Sequence, residues 1–64
     1  MLEKDLYSLI NRTQTPEEVL EDYFFEDREN ALLILYKVFN QEIKIDKACQ
    51  LLGKNVDYKE KRSN

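Results

Sequence analysis

Apolar residues recur along this chain at helical spacing, and the pattern is broadest between Glu29 and Gln41. At about 100° per residue, Ala31, Leu32, Ile34, Leu35, Tyr36, Val38 and Phe39 cover an arc of roughly 200°. Leu33 falls on the other side, among Glu29, Asn30, Lys37 and Asn40. A surface helix needs an apolar stripe only somewhat wider than about 100°, so this central helix is expected to have neighbours on more than one side.

Three flanking segments carry the pattern of such neighbours. Leu2, Leu6, Leu9 and Ile10 fall at i, i+4, i+7 and i+8 and predict a first helix from Leu2 to Asn11, with Tyr7 beside the stripe. The run Thr13-Gln14-Thr15-Pro16-Glu17-Glu18 predicts the start of a second. Thr15 suits the N-cap, Pro16 the first helical position, and Glu18 can reach back to the Thr15 amide in a capping box. This helix is expected to run from Pro16 to about Phe25, burying Val19 with Tyr23 and Leu20 with Phe24. Glu26-Asp27-Arg28 then reads as a tight break, with Asp27 or Glu26 capping the central helix and Phe25 plugging the corner. Beyond it, Ile45, Ala48, Cys49 and Leu52 predict a fourth helix, with Gly53 as its C-terminal stop.

No window alternates convincingly with period 2. The fold expected is therefore all-α, a compact bundle of four short helices. It comprises one domain over residues 1–54 and a polar tail or short fifth helix over 55–64.

At 64 residues, such a domain buries only about 60% of its extended-chain surface. Disulfides, a metal or oligomerisation commonly supplement so small a core. The single cysteine, Cys49, forms no intrachain disulfide and sits on an apolar stripe, where a buried, inert thiol is expected. There is no histidine, which removes Cys/His zinc sites and leaves self-association or docking on a partner. The absence of a basic-then-apolar leader and of a long apolar run leads us to expect a cytoplasmic protein, with no membrane partner.

The net charge of −3 is unevenly distributed. Glu17, Glu18, Glu21, Asp22, Glu26, Asp27 and Glu29 face only Arg28 in the stretch 17–29, whereas lysines and an arginine outnumber acids from 37 to 62. Interleaved with Tyr23, Phe24 and Phe25, the acidic stretch reads as a surface that repels phosphate and attracts a basic groove on another protein. Glu17, Glu18, Glu21, Asp22, Tyr23, Phe25 and Glu26 are the candidate contacts. By analogy of class, the small acidic helical proteins of phages and mobile elements occupy host proteins in this way, as regulators or inhibitors. Leu33 and Tyr36 are the candidate self-association contacts, giving a possible homodimer.

A second reading rests on Ile43-Lys44-Ile45-Asp46-Lys47-Ala48-Cys49-Gln50-Leu51-Leu52-Gly53. This run resembles the Ile-Ser-x-x-x-Ala-Ala-x-Leu-Leu-Gly opening of the helix-turn-helix in small bacterial antitoxin-like regulators. The resemblance implies a recognition segment from Asn55 to Arg62, with Lys54, Tyr58, Lys59, Lys61 and Arg62 as nucleic-acid contacts. An amphipathic helix with a glycine stop and a charged tail accounts for the same residues.

Catalysis is not expected. Without histidine there is no Ser–His or Cys–His nucleophile. The single glycine gives no phosphate-cradling loop, and no cofactor is expected. The carboxylate row lacks the turn of a calcium loop, so no metal is expected either.

Overall fold

The computed structural model describes residues 2–52 and the backbone of residues 57–58. Four helices follow one another: α1 (Leu2–Ile10), α2 (Pro16–Asp22), α3 (Arg28–Phe39) and α4 (Ile45–Leu52). The remaining described elements are two short strands, β1 (Tyr23–Phe24) and β2 (Asp57–Tyr58). They pair antiparallel, with Tyr23 opposite Tyr58 and Phe24 opposite Asp57. The fold is an all-α globule with this small pairing at one corner. Among the described residues, no helix is long and apolar enough to cross a membrane.

The broad apolar arc of α3 makes it the centre of the packing, in contact with α1, α2 and α4. Ala31, Ile34, Leu35 and Val38 are buried, Leu32 and Phe39 are half-buried at the margins, and Leu33 is 63% exposed. Around them close Leu6 and Leu9 of α1, Val19 and Leu20 of α2, and Ile45, Ala48 and Leu52 of α4. Fully burying an aliphatic side chain stabilises by about 1.5–3 kcal/mol. The stripes are therefore strong enough to fix which face of each short helix turns inward.

Local signals set the helix starts. At α2, Glu18 N–H donates to Thr15 Oγ1 at 3.2 Å and Thr15 N–H donates to Glu18 Oε1 at 2.9 Å, closing the expected capping box. At α3, Asn30 N–H donates to Asp27 Oδ1 at 3.1 Å.

Two helix ends close without glycine. Arg12 (φ 67°) and Gln41 (φ 60°) take the left-handed conformation just past α1 and α3. After α1, Arg12 N–H donates to the Leu9 carbonyl at 3.2 Å and Thr13 N–H to the Ser8 carbonyl at 2.9 Å. After α3, Gln41 N–H donates to Val38 at 2.9 Å and Glu42 N–H to Lys37 at 2.7 Å. Both are Schellman closures. A non-glycine residue there costs about 1–2 kcal/mol. At Arg12 an attraction offsets part of that cost, because its guanidinium carbon lies 3.9 Å from the centre of the Phe39 ring.

Three expectations are corrected. The second helix ends at Asp22 rather than Phe25, because Tyr23 turns extended (φ −134°, ψ 155°). Side chains then alternate with period 2: Tyr23 is buried, Phe24 is 59% exposed and Phe25 is half-buried against the core. Phe24 therefore does not share the buried face with Leu20. Lastly, Asp57 and Tyr58 are strand-paired, so these two residues are not part of a fifth helix.

Candidate protein-binding face

The candidate face begins with α2. Its inward residues Val19 and Leu20 fix the helix on α3, and this orientation leaves Glu17, Glu18 and Glu21 exposed and Asp22 half-buried. No basic residue lies on α2. Each of the three exposed carboxylates also has a structural contact. Glu18 closes the capping box. Glu17 accepts a hydrogen bond from the Tyr36 hydroxyl. Glu21 lies 3.7 Å from Arg28, with both side chains well exposed. The Glu17–Tyr36 and Glu21–Arg28 contacts run in opposite directions along the two helices, so α2 and α3 are antiparallel. Such exposed pairs are worth about 0–1 kcal/mol. A carboxylate also has about four acceptor positions, so one contact leaves its charge and further lone pairs for a partner.

The Glu17 contact raises the Tyr36 hydroxyl above its ordinary value of 10.0, through the hydrogen bond first, then desolvation and the carboxylate's charge. Tyr36 also meets Phe39 edge-on, with ring centres 6.2 Å apart. Leu33, one turn earlier on α3, projects to the same side. Tyr36 therefore borders the acidic row through Glu17, and Leu33 is exposed one turn away.

Tyr23 is buried, as its pairing with Val19 predicted, and so is not the outward partner contact it was also read as. It is 2% exposed, its hydroxyl donates to Asp5 of α1, and its ring lies 5.8 Å from Phe25. It supports the corner from within, and Phe24 is the aromatic presented outward. Asp5, missed in the sequence, ties α1 to the corner. No spacing signal could have found it, because the contact spans 18 residues. Glu26 is exposed at the corner itself, past the end of α2.

A cleft beside α2 is lined by Thr13, Gln14, Glu18, Glu21 and Asp22. Gln14 Oε1 is buried, with no hydrogen-bond partner among the described residues. The half-buried Cys49 has its thiol pushed up by burial, then by the charges of Glu3 and Asp46, which favours the protonated form.

Among the nucleic-acid candidates, Tyr58 is placed only by its backbone pairing with Tyr23. Lys54, Lys59, Lys61 and Arg62 lie outside the described residues, as does Gly53. Comparison with protein families, with curated proteins and with solved structures finds no match.

Proposed function

We propose that this chain is a small, non-enzymatic regulator or inhibitor that binds a protein of basic surface. Its contacts are Glu17, Glu18, Glu21, Asp22 and Glu26, with Phe24 and Phe25 as aromatic anchors and Leu33 and Tyr36 on the apolar flank. The observation that carries this reading is the pairing of an all-acidic outer face on α2 with a 59% exposed Phe24 two residues past its end. Charge of one sign steers a complementary partner and raises the rate of encounter. An aromatic at the edge supplies the buried anchor that holds it.

The test is capture of partners from host lysate by the tagged protein and by its Glu21→Lys/Asp22→Lys variant, with and without nuclease. The expected result is a protein partner retained by the parent and lost by the variant, with helical circular dichroism unchanged. Equal capture by the two would refute the acidic face. Capture of nucleic acid alone, in samples without nuclease, would refute the protein-binding reading.

A further inference from the structure

The helix at the centre of the packing also has an outer side. On α3, Leu33 is 63% and Tyr36 36% exposed, on the side turned away from the buried Ala31, Ile34, Leu35 and Val38. Half-buried Leu32 adjoins them. Tyr36 is already held in place, its hydroxyl donating to Glu17 and its ring meeting Phe39 edge-on. That pre-ordering lowers the entropy cost when the ring meets another surface. Leu33 sits midway along a row at i, i+4 and i+8, formed by Glu29, Leu33 and Lys37. Glu29 and Lys37 are exposed, and among the described residues neither side chain makes an ion pair or hydrogen bond. At a rise of about 1.5 Å per residue, the acid and the base lie about 6 Å to either side of Leu33 along the axis.

We propose that this face pairs with the same face of a second copy of the chain, the two α3 helices crossing antiparallel at Leu33. The charge layout selects both the occupant and the direction. In a two-fold pair every contact occurs twice, so the surface must complement itself. An antiparallel crossing sets Glu29 of each copy beside Lys37 of the other, giving two opposite-charge contacts around a Leu33–Leu33 centre. A parallel crossing would set Glu29 against Glu29 and Lys37 against Lys37. The antiparallel pair also opposes the two helix dipoles. The proposal goes beyond the acidic-face reading and does not rest on it, because Glu18, Glu21 and Phe24 stand on other elements. One helix crossing another buries an area at the small end of specific interfaces, below about 1,200 Å² in total. The pair is therefore expected to form at roughly micromolar concentrations. Covering Leu33 also supplements the core of so small a domain.

The test is sedimentation equilibrium of the full chain at low salt, from low to high micromolar concentration, with circular dichroism as the check on folding. The parent should approach twice the chain mass as concentration rises. Leu33→Asp, at an exposed position, should stay helical and monomeric. Glu29→Lys and Lys37→Glu each replace two attractions by two repulsions, and each should weaken the pair about tenfold. The double variant Glu29→Lys/Lys37→Glu restores opposite charges across an antiparallel crossing and should recover most of the parent's affinity. In a parallel pair the single variants would change nothing, since like would still face like. A parent that is monomeric throughout overturns the proposal and leaves the face to a different protein. A dimer that survives Leu33→Asp overturns the choice of surface. Single variants that pair as well as the parent, or a double variant no better than the singles, overturn the antiparallel crossing. None of these outcomes bears on capture through Glu21 and Asp22, so the acidic-face reading stands or falls separately.

Discussion

The helices α2 and α4 make an instructive pair. Both are short, of seven and eight residues, and both lie against α3 with an apolar face inward. They differ in what holds their ends and outer surfaces. α2 begins with a full capping box and a proline, and carries four acids and no base. α4 is preceded by Lys44, whose carbonyl accepts the first helical bond from Ala48 at 3.0 Å and whose side chain is a poor cap. Its outer face balances Asp46 against Lys47. α4 is thus a helix made by its stripe, whereas α2 combines a stripe with local chemistry strong enough to support a one-sided charge. Clustered like charges repel, and the contacts to Thr15, Tyr36 and Arg28 offset part of that repulsion. The residues proposed to recognise a partner are therefore also the ones that fasten α2.

The largest effects come from the shared feature, the inward stripe. Leu20→Ala in α2 and Leu52→Ala in α4 should each cost about 2–5 kcal/mol. That approaches the whole margin of a domain of this size, about 3–5 kcal/mol, so urea unfolding should move to much lower midpoints in both. A midpoint unmoved by Leu20→Ala would mean that α2 is held by its cap rather than by burial.

The caps provide the next contrast. Thr15→Ala should lower stability by about 1 kcal/mol, and Lys44→Ser should raise it by about 0.5 kcal/mol by giving α4 the acceptor it lacks. Thermal unfolding of the two variants would check both signs. If Thr15→Ala is neutral, the asymmetry between the helices is not energetic.

The smallest effect probes the outer face of α2. Tyr36 is raised above 10.0 because its hydroxyl donates to Glu17. The fold favours the neutral phenol, so this contribution is fully present below the unfolded value near 10.0 and is lost as pH rises through the higher folded value. Ultraviolet difference titration, with Tyr36→Phe to identify the signal, should place its midpoint above that of a free tyrosine. Glu17→Gln should bring it down. A midpoint unaffected by Glu17→Gln would separate the acidic row from the Leu33–Tyr36 flank.

Much of the scaffold was legible before any coordinates. The stripe of α1, the capping box at Thr15–Glu18, the Asp27 cap and the outward Leu33 all follow from rules acting within a few residues. The candidate site was read less completely. Glu17, Glu18, Glu21 and Asp22 lie on α2 as read, but Phe24, expected inside with Leu20, is the exposed aromatic, and the buried Tyr23 is not the partner contact it was also read as. Helical spacing had put both inside. One change of backbone conformation at Tyr23 replaced a period of 3.6 with a period of 2 and turned Phe24 outward. Arg12 and Gln41 carried no sequence signal for left-handed caps, since glycine is the residue that usually announces one.

By itself the sequence determined four helical segments, most of their inward faces, the Thr15 cap, a choice of Asp27 or Glu26 for the α3 cap, and an acidic stretch set against a basic tail. Each is a property of neighbours in the chain, where spacing and side-chain chemistry act over a turn or less. Only the tertiary structure decided that Tyr23 reaches Asp5, that Arg12 covers Phe39, that Tyr36 leans on Glu17 and that β2 returns to β1. Those contacts join residues 18 to 35 positions apart. They exist because packing around α3 brings the segments together, and no local preference encodes a meeting at that distance.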